Sequence, residues 1–366
     1  MDLFLYGTLC DPIMFRNLTG VDLSAEPFNL NGFRVDRVKA SELPMIVPDD
    51  QSSAMGVVLR NVPVDVLDRL NAYEAPFGYV IRSTIQNDEA IHFYETPEAQ
   101  ISSGDLWDFD LWADKHLARA QFATKEIGSF DPPLGAQELS QQWGMIQHRA
   151  HASASAMSKY TPATIRRKAG HATVLKRNST AGSFYRFYNC DLEYETFDGG
   201  LSGPLTREVL HGSEAALVLP YDPDKDVVLL VEQFRIGPFF RGDTNYWMLE
   251  PVAGLIDSGE TPQEAAIREC AEEAGVTPKI IEEMFSAYPS PGGVTDFHHC
   301  FLGIFDLPEE KKYLGGLEDE AEDLRLHVVP FEKAMNLIES GEISVLPLIA
   351  MLYWLERNRK RLRAAG

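Results

Sequence analysis

The sequence predicts a chain of two α/β domains. Its 366 residues exceed the roughly 100–200 residues of an ordinary domain. Each half alternates short apolar runs, typical of strands, with stretches of helical rhythm. Between the halves, residues 129–170 are rich in proline, glycine and small polar residues and are weakly patterned. We therefore expect a first domain at 1–145, a linker or helix at 146–170, and a second domain at 171–366.

Composition and charge exclude several classes of protein. Hydrophobic residues make up 45% and charged residues 24% of the chain, which is a normal globular balance. The formal net charge is −22, which argues against a general nucleic-acid partner. The four cysteines are far apart and the longest apolar run, Val345–Leu355, is too short to span a bilayer. We expect a cytoplasmic protein with no membrane partner.

The predicted elements of the first half begin with a strand at Leu3–Tyr6 that turns at Gly7. Further apolar runs predict strands at 56–60 and 79–85, and a helical rhythm lies between them. A second helix is predicted at about 105–126. These elements indicate a mixed domain of strands and helices.

The second half has a stronger pattern. The runs 214–220 and 227–234 flank the turn-rich segment Tyr-Asp-Pro-Asp-Lys-Asp, which predicts a hairpin. After the hairpin, the pattern predicts a helix at 261–274, strands at 299–305 and 324–330, and helices at 331–340 and 345–363.

The segment Gly254–Val276 carries the clearest chemical signal. Thr261 and Glu264 form a capping box with Pro262 at the first helical position, and Gly275 suits a left-handed helix end. The segment therefore predicts a helix over 262–274.

Three glutamates share one side of this helix. Glu269, Glu272 and Glu273 stand at i, i+3 and i+4, a spacing at which like charges repel. Arg268 can reach Glu264 and Glu272 at i−4 and i+4, and a hard divalent cation such as Mg²⁺ would compensate the charge more fully. The alternative interpretation of an isolated motif of this kind is an acidic, solvated helix face.

The complete pattern resembles the box of the Nudix hydrolases. Glycine, five residues, glutamate, seven residues and then Arg-Glu-Cys-x-Glu-Glu-x-Gly-Val fill its fixed positions, with Cys270 as a small hydrophobe where an aliphatic residue is usual. The flanking segments 231–237, 249–254, 289–293 and 317–330 resemble the ADP-ribose pyrophosphatase branch. The resemblance covers about half the chain, from Lys176 onward, and implies an α/β/α sandwich.

The resemblance implies a metal site. In that branch the ions bind carboxylates of the box helix and the carbonyl before the box glycine. Here these are Glu269, Glu273 and the Ala253 carbonyl, with Glu272 as a further ligand or a catalytic group. Mg²⁺ is the expected cofactor and Mn²⁺ is the alternative. The ion would neutralise phosphate charge and lower the pKa of bound water.

The resemblance also implies a glutamate on an acidic loop that acts as base or positions the attacking water. Glu320 is the matching residue, and Glu322 is the near alternative. The arginines suited to the substrate phosphates are Arg207 and Arg235.

Two further carboxylates are expected at this site. Asp296 would make a polar contact near the substrate, and Glu250 would hydrogen-bond the substrate or orient metal-bound water. The branch often forms homodimers by exchanging an N-terminal sheet, which implies that role for Arg186–Gly200.

The first half carries a weaker motif. A Tyr-Gly-Thr-Leu turn follows the first strand, and Glu74 lies beside Tyr73 in a partly apolar stretch. The pairing resembles the gamma-glutamylcyclotransferase-like (AIG2-like) family, whose fold is a small mixed β-barrel with helices. The alternative interpretation is a tight turn at Gly7 and a surface carboxylate at Glu74.

That resemblance implies a binding loop and a base. Tyr6, Gly7, Thr8 and Leu9 would bind the substrate through loop N–H groups. Glu74 would remove a proton from the α-amine of a gamma-glutamyl compound as it attacks its own γ-carbonyl.

The sequence therefore predicts Mg²⁺-dependent hydrolysis of ADP-ribose to AMP and ribose 5-phosphate. Three alternatives remain open. The substrate could be another nucleoside diphosphate sugar, the first half could be a ligand-binding module that regulates the hydrolase, or the chain could be bifunctional.

Overall fold

The structure is a computed structural model that describes every residue except 97–99, 159–163, 166–170, 181, 276, 308–311, 316–322 and 366. It divides into two compact units, Met1–Glu208 and Val209–Gly366. Residues 146–208 thus group with the first unit. The domain limits at 145 and 170 stay a prediction about which segments fold independently.

The first unit is built on a six-stranded mixed sheet. Its strands are β1 (Asp2–Leu5), β2 (Glu26–Val38), β3 (Pro44–Leu59), β4 (Val80–Gln86), β5 (Glu89–Glu95) and β6 (Ser102–Leu106). Their order in the sheet is β4-β5-β1-β3-β2-β6, in which β1 and β5 are parallel and the other neighbours are antiparallel. The strand β3 extends much further towards the N-terminus than the predicted run 56–60, and β2 was not predicted, because the burial along both strands is irregular and does not alternate cleanly.

Four helices accompany this sheet. The Asp11 side chain caps the first helix by accepting from the Met14 N–H, and Gly20 ends it in the left-handed conformation. The two faces of β1 enter different cores: Leu3 and Leu5 pack with the helices, whereas Phe4 packs on the other side. The helices are α1 (Pro12–Thr19), α2 (Val64–Glu74), α3 (Phe109–Gly128) and α4 (Ala136–Ser158).

A separate three-stranded sheet follows, in the order β7-β8-β9. It comprises β7 (Ala172–Thr180), β8 (Arg186–Tyr194) and β9 (Leu205–His211). The strand β8 pairs antiparallel with β7, and β9 leads into the second unit.

The second unit has one eight-stranded sheet between helices. Its strands are β10 (Glu214–Asp222), β11 (Val227–Phe234), β12 (Trp247–Glu250), β13 (Val252–Leu255), β14 (Ile280–Ala287), β15 (Phe297–Ile304), β16 (Lys312–Gly315) and β17 (Leu324–Pro330). Their main order in the sheet is β14-β15-β10-β11-β17-β16, with β12 beside β11 and β13 beside β10. The predicted hairpin and the predicted strands 324–330 and 299–305 are present, the last shifted by one or two residues.

Alternate residues of β11 enter two cores. Leu229 and Val231 pack with residues of the helix that follows β13, and Val228 and Leu230 pack with the two C-terminal helices. This arrangement confirms the predicted α/β/α sandwich. The helices are α5 (Ile236–Arg241), α6 (Pro262–Ala274), α7 (Phe331–Ser340) and α8 (Leu346–Ala365). Among the helices that the structure describes, none combines the length and apolarity needed to cross a membrane.

Candidate active sites in the two units

The box helix α6 begins as the sequence predicts. The Thr261 hydroxyl accepts from the Glu264 N–H at 3.3 Å, and the Glu264 carboxylate accepts from the Thr261 N–H at 2.8 Å. Pro262 occupies the first turn, and Gly275 ends the helix at φ 63°. The reciprocal cap fixes where the helix starts, and so fixes which side of it faces the sheet.

Two box glutamates are buried between α6 and β13. Glu269 and Glu273 are only 9% and 3% exposed. The Glu273 carboxylate accepts from the Ala253 N–H at 3.2 Å. A Cβ placed on Gly254 would lie 1.8 Å from the Glu269 Oε1 atom. Glycine is therefore required at this position for the Glu269 carboxylate to lie against the β13 backbone.

Arg268 organises the acidic side of the helix. Its guanidinium donates to the carboxylates of Glu269 at 2.6 Å, Glu272 at 2.9 Å and Glu260 at 2.9 Å. These contacts raise the pKa of Arg268, chiefly through Glu260. The predicted contact with Glu272 is present. The predicted contact with Glu264 is not found, because that carboxylate is engaged in the helix cap.

The donors at this point suit a hard divalent cation. Two buried carboxylates face the backbone of β13, and carboxylate and carbonyl oxygens are the ligands that Mg²⁺ prefers. Within the described part of the chain, no three His, Cys, Asp or Glu side chains already form a metal cage. The available set is thus Glu269, Glu273 and the Ala253 carbonyl, with Glu272 held by Arg268.

Arg235 and Glu250 contact each other. The Arg235 Nε lies 3.0 Å from the Glu250 Oε1, and Nη2 lies 2.5 Å from Oε2. Gln233 also donates to Glu250, at 3.3 Å. Glu250 is 9% exposed, whereas the Arg235 side chain is 44% exposed. The buried carboxylate thus orients a guanidinium that still faces solvent, a relation that their spacing in the sequence did not reveal.

The other residues predicted for this site are Asp296, Arg207, Glu320 and Glu322. Asp296 immediately precedes β15 and is half-buried. Arg207 lies in β9, is exposed and donates to the Thr206 carbonyl at 2.8 Å. Arg207 belongs to the first unit, so its role at the box stays a prediction. Glu320 and Glu322 lie outside the described residues.

The second candidate site surrounds Glu74 in the first unit. Glu74 is 8% exposed, and burial raises the pKa of its carboxyl from 4.5 to about 8. Among the described residues, none forms a hydrogen bond with this carboxyl. The alternative of a surface carboxylate is therefore wrong. The pKa of the buried Tyr6 is raised mainly by desolvation, with Tyr79 and Glu74 nearby adding to it.

The opening loop lies beside this carboxyl. Tyr6 donates to the Tyr94 carbonyl at 2.6 Å, and Thr8–Cys10 forms one turn of 3₁₀ helix that includes Leu9. A Cβ on Gly7 would lie 2.6 Å from Pro44, so close packing requires glycine here. The φ of Gly7 is −127°, so a left-handed turn is not the reason.

An aromatic contact of the residues that flank Glu74 in the chain was not predicted. Trp143 of α4 packs edge-on against Tyr73 and Phe77, with ring centroids 6.0 and 4.9 Å apart. Helix α4 comes some seventy residues after Glu74 in the chain, and its weak amphipathic pattern gave no sign of this contact.

Known families match both units. Residues 212–349 match the family model described as NUDIX domain, and residues 3–109 match that of Gamma-glutamyl cyclotransferase, AIG2-like. With the complete box on a capped helix beside the sheet, the chain belongs to the Nudix family of hydrolases.

Several named relatives indicate which members of that family the chain resembles. The chain is 35% identical over 192 residues to an ADP-ribose pyrophosphatase of Haemophilus influenzae, covering 52% of this chain and 88% of the relative. It is 36% identical over 185 residues to an ADP-ribose pyrophosphatase of Escherichia coli K12, covering 50% and 88%. A GDP-mannose pyrophosphatase of Escherichia coli SMS-3-5 is 29% identical over 186 residues, covering 51% and 95%.

Proposed function

We propose that this chain hydrolyses the pyrophosphate bond of ADP-ribose to AMP and ribose 5-phosphate. The observation that carries the proposal is the pair Glu269 and Glu273, buried against β13 on the box helix of a Nudix fold. Relatives of more than a third identity bear the name ADP-ribose pyrophosphatase.

The buried carboxylates would hold a divalent metal ion, which we propose to be Mg²⁺, with Mn²⁺ as the alternative. When bound, the ion supplies positive charge to the pyrophosphate and acidifies water. Arg268 holds Glu269 and Glu272 in place and offsets part of their mutual repulsion. The Gly254 backbone leaves room for the Glu269 carboxylate.

The other residues would bind the substrate. We propose that Arg235, oriented by Glu250, donates to a phosphate oxygen, because a planar guanidinium matches phosphate geometry. Arg207 is proposed as the second phosphate contact and Asp296 as a polar contact. Glu320 is proposed to accept a proton from the attacking water or to orient it, with Glu322 as the alternative.

The test is a substrate panel on the full chain. We expect AMP release from ADP-ribose with Mg²⁺, and none when a chelator replaces the metal. A GDP-mannose pyrophosphatase is also among the relatives, so GDP-mannose and other nucleoside diphosphate sugars are the comparison substrates. A higher kcat/KM on GDP-mannose than on ADP-ribose would replace the proposed substrate while retaining the reaction class.

A second activity is proposed for the first unit. The buried carboxyl of Glu74, which has no hydrogen-bond partner among the described residues, lies beside the opening loop. We propose that this setting supports cyclisation of a gamma-glutamyl compound to 5-oxoproline with release of an amine. The ionised fraction of Glu74, which grows as the pH rises towards 8, would accept the ammonium proton and return a proton to the departing amine. Release of 5-oxoproline that disappears in Glu74→Gln would support this activity. A change in hydrolase kinetics on adding gamma-glutamyl compounds, without turnover of them, would support a regulatory role instead.

We also propose that the chain is a cytoplasmic homodimer. All four cysteines are unbonded, and three of them are buried, which is compatible with a reducing compartment. We propose the dimer because the ADP-ribose pyrophosphatase branch that the chain resembles often forms homodimers. The segment 186–200 is expected to be exchanged between the two subunits. Light scattering of the purified chain would give the mass, and a monomer of 41.0 kDa would contradict the proposal.

A further inference from the structure

A cavity of about 540 Å³ lies in the second unit, on the face of the sheet that α7 covers. Leu230 and Glu232 of β11 line it, and Leu230 also packs in the core that includes α7 and α8. Val231 alternates with these two residues and packs on the α6 side instead. The sheet therefore separates this cavity from the α6 carboxylates, and its volume is that of a small-molecule site.

One end of the cavity offers apolar side chains and an aromatic ring. Leu249 of β12 stands opposite Glu232 in the sheet, and Leu337 of α7 also lines the cavity. Trp247 lies two residues before Leu249 and is 41% exposed, and its ring meets that of Phe234 at 73°. An aromatic ring that is still open to a cavity can stack on a planar aromatic ligand.

The other end of the cavity carries positive charge. Arg325 of β17 stands opposite Glu232 on the side away from β12, and Lys333 of α7 lines the same cavity. Both side chains are exposed, and Lys333 has no ion-pair partner among the residues that the structure describes. Arg325 lies 3.5 Å from the Glu232 carboxylate, which contacts the His327 Nε2 more closely, at 2.7 Å. Both cations can therefore bind an anionic group of a ligand.

The two ends are spaced like the two ends of a nucleotide. The register places Trp247 two strands and two residues away from Arg325, which corresponds to roughly 12 Å between their Cα atoms. Because both side chains line the same cavity, one ligand could join a ring on Trp247 to an anion at Arg325 through a group the size of a ribose. Glu232 lies on the strand between them, where its carboxylate can accept hydrogen bonds from sugar hydroxyls.

We propose that this cavity binds a nucleoside monophosphate, with the base on Trp247 and the phosphate on Arg325 and Lys333. The site is separate from the α6 carboxylates and needs no metal ion. AMP is the probe for the test, because the proposed hydrolysis would release it. The binding itself does not depend on that reaction.

The test is equilibrium dialysis of radiolabelled AMP against the full chain with a chelator present, so that no metal ion supports binding at the α6 site. We expect saturable binding of one AMP per chain. Adenosine and ribose 5-phosphate, which lack the phosphate and the base respectively, should bind at least tenfold more weakly. Trp247→Leu and Lys333→Met should each raise the dissociation constant of AMP about tenfold.

The matched controls are Phe240→Leu and Lys360→Met. Phe240 is an exposed aromatic residue of α5, Lys360 is an exposed lysine of α8, and neither lines the cavity. Both variants should bind AMP as the wild type does. Because Lys333 is exposed, Lys333→Met should keep the wild-type melting temperature, so that its weaker binding would not reflect unfolding.

Three results would each overturn the proposal. The first is the absence of saturable AMP binding to the wild-type chain. The second is wild-type affinity in both Trp247→Leu and Lys333→Met. The third is a loss of binding in Arg235→Met that neither cavity variant shows, because AMP would then bind at the α6 site.

Discussion

The two candidate sites bury carboxylates in opposite ways. On α6, Glu269 and Glu273 each have a partner, an arginine in one case and a backbone N–H in the other. On α2, Glu74 has no partner among the described residues, and burial raises its pKa to about 8. A buried carboxyl with donors around it can remain an anion and attract a cation, whereas one without donors keeps its proton at neutral pH. Burial alone therefore does not tell which chemistry a carboxylate supports.

The largest expected effect is on hydrolysis at the α6 site, where Glu269 and Glu273 have hydrogen-bond partners. Glu273→Gln preserves an oxygen that can accept from the Ala253 N–H but removes the negative charge. We expect the rate of ADP-ribose hydrolysis to fall about a thousandfold, with the melting temperature nearly unchanged. The control is Glu283→Gln, an exposed glutamate of β14, which should retain activity. Near-normal hydrolysis by Glu273→Gln would remove this residue from the metal site.

A smaller loss is expected when the position of Glu269 is disturbed. Gly254→Ala would place a methyl group where the Glu269 carboxylate now lies, and this flexible side chain can move aside. Activity should therefore fall about tenfold to a hundredfold while stability changes little. Gly237→Ala is the matched control, because apart from its chain neighbours and the backbone of its own helix no atom lies within 4 Å of the added Cβ. Unchanged kcat/KM in Gly254→Ala would show that the close approach is not needed.

The sequence predicted local features of both sites better than distant contacts. The cap at Thr261 and the helix end at Gly275 were predicted, because their signals lie within a few residues. The pairing of Arg235 with Glu250 was not, because it depends on the register between β11 and β12. The packing of Trp143 against Tyr73, the residue next to Glu74, likewise depends on a contact that only the fold creates.

The raised pKa of Glu74 should make the folding stability depend on pH. The folded state holds the Glu74 proton up to about pH 8, whereas the ordinary pKa is 4.5. Folding stability therefore falls as pH rises from about 4.5 to about 8 and is level above that range. Glu74→Gln removes this fall, so its free energy of unfolding relative to wild type should rise by about 3 kcal/mol between pH 5 and pH 8.

The control for this measurement is Asp68→Asn, an exposed residue of the same helix. Its denaturation midpoint relative to wild type should not change over that range. If the stability difference for Glu74→Gln is also independent of pH, the Glu74 carboxyl has an ordinary pKa and the contrast between the two sites disappears.

The smallest expected effect concerns the N-terminal caps of the helices α6 and α2. The helix α6 has a reciprocal cap, whereas α2 begins at Pro63 with no side-chain cap. Thr261→Ala should therefore lower the free energy of unfolding by about 1 kcal/mol, and Thr261→Ser should leave it unchanged. Because the cap lies two turns from Glu269, hydrolysis at low temperature should remain close to wild type. A large loss of activity in Thr261→Ala, without a loss of stability, would mean that the cap positions the carboxylates directly.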